Sequence, residues 1–145
     1  MEVRIREIKE KDRREVIDMM RLFYSTDAVS TNGSEEIFEN NVNGCLSASP
    51  FLTGYVFESD AGLLGYAMTA HSFSTEFGKP CVWIEDLYIK EAFRGKGIGG
   101  KFFAFIEEKH SGSLFRLEVE DYNTSAVALY RKCGFTSLPY MEMKK

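Results

Sequence analysis

Leu87-Tyr-Ile-Lys-Glu-Ala-Phe-Arg-Gly-Lys-Gly-Ile-Gly-Gly100 connects two regular patterns through a loop that is rich in glycine. The residues that lead into this stretch, Val82 to Ile89, are largely apolar and predict a buried strand. Beyond the glycines, the phenylalanines of Phe102 to Ile106 recur at helical spacing, which predicts an amphipathic helix that ends near His110 to Gly112. A strand, a glycine loop and a helix in this order indicate an α/β protein.

The loop combines four glycines, at positions 95, 97, 99 and 100, with the basic residues Arg94 and Lys96. Glycines let the chain turn sharply at the head of a helix and leave backbone N–H groups uncovered by side chains. The helix dipole adds about half a positive charge at the same end. Together these features predict a site for a pyrophosphate group.

A dinucleotide site is the first alternative, because Gly95, Gly97 and Gly100 also fit the G-x-G-x-x-G pattern, with Glu118 or Glu120 near the position of a ribose-binding acid. Lys90 to Arg94 separate the strand from the first glycine, however, and few residues follow Gly100 to complete a doubly wound sheet. A kinase glycine loop is disfavoured because no H-R-D or D-F-G sequence follows it.

The rest of the chain predicts further strands and helices that alternate with the central unit. Val3 to Ile8 alternates like a half-buried strand, and Asp12 to Glu15 resembles a capping box at the start of a helix. The signal is weak from Ser25 to Pro50, apart from a short helix expected behind Ser34. The remaining predictions are strands at Phe51 to Glu58, Leu63 to Phe73, Leu114 to Glu120 and Phe135 to Met143, and a helix from Asn123 to Cys133 and Gly134.

Composition bounds the remaining function classes. The 145 residues are 44% hydrophobic and predict one domain, residues 1–145. The net charge of −4 argues against nucleic-acid or membrane partners. No apolar leader or long apolar run occurs, and the protein is expected to be cytoplasmic. No disulfide or metal site is predicted, because the few potential ligands are far apart in sequence: Cys45, Cys81, Cys133, His71 and His110.

Two motifs resemble those of the GNAT N-acetyltransferase superfamily. Arg94, Gly97 and Gly99 fill its acetyl-CoA motif. A second motif of the superfamily is matched further along the chain by Asn123, Ala126, Leu129, Tyr130, Gly134 and Phe135. More narrowly, Phe73 to Pro80 and Trp83 to Ile89 resemble the diamine acetyltransferase branch, which acts on spermidine, spermine and related amines.

The resemblance implies a mixed, mostly antiparallel central sheet flanked by helices, with a splay between two strands for the cofactor arm. It implies acetyl-CoA as co-substrate, a small cationic amine as acceptor, and a homodimer as one form of assembly. The pantetheine arm would pair with Leu87, Tyr88 and Ile89, and Asn123 would contact that arm or the amine. The pyrophosphate would be held by Arg94, Gly95, Lys96, Gly97, Ile98, Gly99 and Gly100, and Tyr130 would sit beside the thioester sulfur.

The chemistry requires a base, since an alkylamine with a pKa of about 10.4 is almost entirely protonated at pH 7. Glu85 is the candidate, and strict alternation would put it on the face of Leu87 and Ile89, with Asp86 opposite. Asp86 or a water chain stays open as the base, as does a purely structural role for both acids at a strand bulge. Tyr130 is the candidate acid that protonates the leaving thiolate.

Several other acids were expected to give the acceptor pocket a negative charge: Glu35, Glu36, Glu39, Glu118, Glu120 and Asp121. Two alternatives to a small cationic acceptor stay open. One is acetylation of an amino acid, an aminoglycoside or a protein amine. The other is a non-catalytic acyl-CoA-binding sensor, which would bind the cofactor without turnover.

Overall fold

A computed structural model describes residues 1–26, 28 and 33–145. Its five-stranded sheet has the order β1-β2-β3-β4-β5. The pairs from β1 to β4 are antiparallel, and β5 is parallel to β4. The strands are β1 (Arg4–Glu7), β2 (Leu52–Ser59), β3 (Gly62–Ser74), β4 (Lys79–Ile89) and β5 (Leu114–Leu117). The expected mixed, mostly antiparallel sheet is confirmed.

Within the described residues, four α-helices flank the sheet. The helix predicted behind Ser34 is present, and the Ser34 hydroxyl caps it by accepting from the N–H of Ile37. No helix of the described ranges is long and apolar enough to cross a bilayer. The helices are α1 (Arg13–Phe23), α2 (Glu35–Leu46), α3 (Ile98–Lys109) and α4 (Thr124–Lys132), with short 3-10 turns at Glu10–Asp12 and Glu91–Phe93.

Two hydrophobic cores lie on opposite faces of the sheet. One joins α1 and α2 to the sheet through residues such as Met20, Val42 and Tyr66, each fully buried. The other joins α3 to the sheet through Phe57 and Phe102, and α4 packs against its margin. The period-two alternation of the strands creates both cores, because successive side chains of a strand enter opposite faces.

The long antiparallel pair of β3 and β4 requires a close backbone approach at Gly65. A Cβ atom built there would lie 2.2 Å from the carbonyl oxygen of Tyr88. Any side chain at position 65 would therefore push β4 away from β3. This glycine keeps the C-terminal end of β4, which borders the candidate site, in register.

The first helix begins differently from the capping-box prediction. Asp12 precedes α1, but its carboxylate does not cap that helix. It accepts from the Lys9 N–H at 2.8 Å and from the Arg6 guanidinium at 2.8 and 3.0 Å. Arg6 also bonds Glu58 of β2, and the tertiary ion pair with Arg6 outcompetes the local cap.

The predicted last strand is wrong. Residues 135–145 form no strand, and several of their apolar side chains are exposed. Pro139 lacks an N–H for a ladder hydrogen bond in the middle of this segment. Tyr140 instead bonds the carboxylate of Glu76 in the turn between β3 and β4, so this segment crosses the sheet end without pairing.

Candidate active site at the splay of β4

The two edge strands separate half-way along β4. β5 pairs with β4 from Cys81 opposite Leu114 to Ile84 opposite Leu117, and then ends. From Glu85 to Ile89, β4 keeps only its ladder with β3 on the other side. In the described ranges no strand pairs with that open side of Leu87 to Ile89, so an extended ligand can add there as a strand.

The glycine loop reaches α3 in a conformation that favours glycine. Gly95 and Gly97 have φ values of 74° and 80°, and a Cβ at either position would meet no atom within 4 Å. Gly97 precedes the first turn of α3, whose N–H groups point into this space. The cradle is therefore open to a ligand, while a side chain would be strained.

Two exposed cations stand beside the cradle. Arg94 donates from Nε to the Ile89 carbonyl oxygen at 2.8 Å, and its guanidinium lies 5.6 Å from the Tyr88 ring centre. The Lys96 ammonium lies 5.6 Å from the Phe93 ring centre. With the N-terminal end of α3, these charges suit a pyrophosphate, so the residues present fit coenzyme A.

The second motif lies on α4, whose Leu129 side chain reaches Gly99 of α3. A Cβ at Gly99 would lie 2.9 Å from Cδ2 of Leu129, so a side chain there would require the end of the Leu129 side chain to shift. The Asn123 side chain caps α4 through the N–H of Ala126 at 3.4 Å. Capping occupies its oxygen, and its contact with cofactor or amine stays a prediction.

Tyr130 belongs to the α3 face of the sheet, as do Leu87 and Ile89. Its ring packs edge-on against Phe103, with centres 5.8 Å apart. Burial, and to a lesser extent Cys133, raise the pKa of Tyr130 above its ordinary value. The phenol therefore keeps its proton at neutral pH, as an acid must.

A β-bulge interrupts β4 at Glu85. Met68 of β3 faces Asp86, and the next residue, Thr69, faces Ile84, which leaves Glu85 without a Cα partner. Ile84 and Leu87, three residues apart, consequently pack on the same face. Strict alternation therefore fails at Glu85, and its direction is set by the bulge.

Asp86 is enclosed on the α1 side. Its residue is 4% exposed, and its two carboxylate oxygens accept from the hydroxyls of Tyr24 at 3.0 Å and Tyr66 at 2.8 Å. Burial raises the pKa of Asp86, and the two hydrogen bonds oppose that rise. An amine could reach this carboxylate only by displacing a tyrosine, which weakens Asp86 as the alternative base.

Glu85 lies among other carboxylates. Burial, followed by the charges of Asp86 and Glu142, raises its pKa. A carboxyl–carboxyl hydrogen bond with Glu142, then burial, raises the pKa of Glu118 to about 7. Sequence reasoning missed Glu142, because only the path of the C-terminal segment brings it beside Glu118.

Two of the other expected pocket acids are engaged elsewhere. Glu35 forms an ion pair with Arg21, and Glu39 pairs with Arg13 at 2.7 Å. These contacts tie α1 to α2 on the protein surface. The charge predicted for the acceptor pocket from these two residues is therefore balanced by Arg13 and Arg21.

A cavity of about 370 Å³ opens between the end of α1 and the start of α2. Arg21, Tyr24, Glu35 and Phe38 are among its lining residues. Tyr24 packs against Phe38, with ring centres 5.4 Å apart, while its hydroxyl bonds Asp86. From the weak segment Ser25 to Pro50, the cavity is lined by Ser25, Gly33, Ser34, Glu35 and Phe38. Residues 27 and 29–32 lie outside the described residues.

The two histidines, far apart in sequence, meet at the opposite end of the sheet. Their ring centres are 5.3 Å apart, and Thr53 Oγ1 lies 3.0 Å from His71 Nε2. Burial lowers the pKa of both histidines. Across the described ranges, no group of three or more His, Cys, Asp or Glu side chains is arranged to hold a metal ion.

This sheet, with the splay of β4 from β5 and a glycine cradle at the start of α3, has an acetyltransferase-like fold. A solved structure of a "possible acetyltransferase" from Clostridium difficile 630 superposes with a TM-score of 0.82, covering 99% of this chain and 96% of that chain at 20% identity. At this identity, the likeness concerns the fold alone.

The sequence matches the Acetyltransferase (GNAT) family over residues 14–135, and the chain belongs to that family. Thialysine N-epsilon-acetyltransferase of Sus scrofa is 32% identical, over 97% of this chain and 88% of the relative. Spermine/spermidine N(1)-acetyltransferase of Bacillus subtilis (strain 168) is 25% identical, over 93% of this chain and 88% of the relative. The protein is thus an acetyl-CoA-dependent N-acetyltransferase.

Proposed function

We propose that this chain, as one domain spanning residues 1–145, transfers the acetyl group of acetyl-CoA to a primary amine of a small cation. The observation that carries the proposal is the group of carboxylates at the splay, where the open edge of β4 meets Glu85. Glu118 and Glu142 lie near it, and a carboxyl–carboxyl hydrogen bond raises the pKa of Glu118 to about 7. A bound ammonium would relieve the repulsion among these acids.

The activities named for two relatives agree with a cationic acceptor, because thialysine and spermidine both carry ammonium groups at neutral pH. A diamine or polyamine, or an amino acid with an amine in its side chain, is therefore the favoured class. Amines of aminoglycosides or proteins are the alternatives. The three free cysteines are in keeping with the expected cytoplasmic location.

Glu85 is proposed as the base. At pH 7 the neutral form of an alkylamine costs about 4 to 5 kcal/mol relative to the ammonium form. Burial and neighbouring charges raise the pKa of Glu85, which makes its carboxylate a stronger base than an ordinary glutamate. It takes the proton directly or through one water molecule as the amine nitrogen forms its bond to the acetyl carbon.

Tyr130 is proposed as the acid. As the bond between the acetyl carbon and sulfur breaks, the departing thiolate needs a proton, and a tyrosine hydroxyl can supply it. The second motif and the packing of Tyr130 beside Leu87 and Ile89 on one face support this role. No covalent acyl-enzyme is required, since the amine attacks the thioester directly.

The cofactor is proposed to lie along β4, with Leu87, Tyr88 and Ile89 pairing with the pantetheine arm and the Arg94 to Gly100 loop holding the pyrophosphate. The open side of β4 and the positive φ values of Gly95 and Gly97 support this arrangement. A silent acyl-CoA sensor would use the same cradle, and turnover distinguishes it from the enzyme.

The test is thiol release from acetyl-CoA with a panel of amines, alongside calorimetric titration of acetyl-CoA. The panel pairs each diamine with the monoamine of equal chain length, and adds thialysine, lysine, an aminoglycoside and a peptide. Faster turnover of the dications, with a KM that rises with salt, is expected because carboxylates bind the distal charge. Preference for the monoamines would contradict a cationic acceptor, and binding of acetyl-CoA without turnover of any amine would favour the sensor.

A further inference from the structure

Among the described residues, Asp86 is one of two buried carboxylates on the α1 side of the sheet. Asp12, the other, is 5% exposed and is bound by Arg6, whose positive charge balances it. Asp86 is 4% exposed, and the partners that the structure gives it are the neutral hydroxyls of Tyr24 and Tyr66. A buried carboxylate without a balancing cation lowers the stability of the fold. This cost favours a functional role for Asp86.

The two tyrosines connect Asp86 to different parts of the molecule. Tyr66 comes from β3 and is fully buried, so it fixes the carboxylate to the sheet. Tyr24 follows the last turn of α1, and its ring lines the cavity between α1 and α2. A single carboxylate therefore joins the wall of that cavity to β4.

The position of Asp86 on β4 gives this connection its effect. Asp86 directly follows the unpaired bulge residue Glu85 and is the first residue to resume the ladder, opposite Met68. Movement of the Asp86 side chain would thus be transmitted to the backbone that sets the direction of Glu85. Its charge also lies close enough to Glu85 to disfavour ionisation there.

We propose that Asp86 is a positioning residue whose hydrogen bonds to Tyr24 and Tyr66 hold the bulge, so that Glu85 and the α1–α2 cavity keep one fixed arrangement around the acceptor amine. The inference rests on the proposed function, in which Glu85 meets the amine. It assigns the buried acid a role in aiming the base and excludes it from proton transfer. Tyr24 is the element through which a ligand in the cavity acts on the bulge.

The test compares Asp86→Asn and Tyr24→Phe with Asp12→Asn, a matched removal of the other buried carboxylate on the same face. All three variants should lower the Tm. Only the first two should reduce kcat/KM for the amine, by about tenfold, with an unchanged Kd for acetyl-CoA. If Asp86 only stabilised the fold, all folded variants would keep the kinetic constants of the wild type, and the proposal would fail.

A second measurement needs no turnover. Carboxyl NMR of protein labelled at glutamate follows the titration of Glu85, whose neighbouring charged or titratable groups are Asp86, Glu118, Glu142 and Tyr24. In Asp86→Asn the midpoint should move to lower pH, because a negative charge has been removed. If Asp86→Asn does not fold, Tyr24→Phe should change the Glu85 resonance where Asp12→Asn does not.

The two failures are distinguishable. If the wild type turns over no amine, the proposed function fails, and the Glu85 resonance still tests the link to Asp86. If the wild type turns over an amine but Tyr24→Phe and Asp86→Asn match Asp12→Asn in kinetics and in the Glu85 titration, the positioning role is overturned.

Discussion

The two halves of β4 have the same neighbour on one side and different surroundings on the other. Residues 81–84 are paired with both β3 and β5, whereas residues 86–89 are paired with β3 alone and Glu85 between them has no Cα partner. The backbone groups of the first half are used within the sheet, because they pair with strands on both sides. In the second half, the side of β4 that faces away from β3 pairs with no described strand and is open to a ligand. At the junction between the halves, the bulge sets the direction of the Glu85 side chain, which strict alternation would otherwise have determined.

Glu85→Gln tests the junction itself and should give the largest effect. Removing the base should lower kcat/KM for the amine by about a thousandfold near pH 7, with little change in the Kd for acetyl-CoA. The loss should shrink at high pH, where the amine is already neutral. Steady-state kinetics from pH 6.5 to 10 measure this. A loss that is equal at all pH values would contradict the role as base.

Glu7→Gln is the control for that experiment. Glu7 ends β1, which lies at the opposite edge of the sheet from β5. The kinetic constants of Glu7→Gln should match those of the wild type. A similar loss in both variants would indicate a general effect of charge and would remove Glu85 from the reaction.

Tyr130→Phe tests the proposed acid, as Glu85→Gln tests the proposed base. Turnover should fall about a hundredfold, while calorimetry should find the acetyl-CoA affinity almost unchanged. Tyr55→Phe is the control, because the buried Tyr55 hydroxyl has no hydrogen-bond partner within the described chain. Unchanged turnover in Tyr130→Phe would exclude Tyr130 as the acid.

Gly97→Leu separates the cofactor cradle from the strand edge. The φ of 80° is strained for leucine, and its side chain would enter the space above the first turn of α3. The affinity for acetyl-CoA should fall about tenfold or more by calorimetry. Gly112→Leu, at a φ of 86° after α3, imposes similar strain away from the cradle. Equal affinities in the two variants would reject the phosphate assignment.

The two histidines at the end of the sheet farthest from the splay should change the pH dependence of stability without affecting catalysis. Burial, first, and then nearby positive or titratable groups lower the pKa of His71 and His110 in the folded state. The unfolded chain therefore binds more protons below about pH 6.5. The stability from this pair is complete above that pH and is lost as the pH falls toward the lowered folded-state pKa values.

Urea unfolding at pH 7.5 and pH 5.5 checks this prediction. Replacing both histidines by glutamine should make the loss of unfolding free energy between the two pH values smaller than in the wild type. Equal losses in the two proteins would show that other groups, such as the carboxylates, account for all of the pH dependence.

Local patterns predicted most of the regular structure. Helical spacing after the glycine loop predicted α3, Ser34 marked the start of α2, and the strands predicted at Phe51 to Glu58 and Leu63 to Phe73 correspond to β2 and β3. These elements are determined by residues a few positions apart. The two errors have other causes. The Asp12 carboxylate binds Arg6 and the Lys9 N–H instead of the first turn of α1, and Pro139 lacks a ladder N–H in the strand expected at 135–143.

The candidate site also has one part that follows from local sequence and another that depends on distant contacts. The sequence by itself determined the glycine cradle proposed for the pyrophosphate, because glycine, a helix start and two cations are contiguous and need no distant partner. Only the tertiary structure decided which carboxylates lie together near the splay. The bulge broke the alternation at Glu85, two tyrosines from α1 and β3 enclosed Asp86, and the C-terminal segment brought Glu142 to Glu118. The physical reason is that charge and burial depend on contacts between residues far apart in the chain, which periodicity does not record.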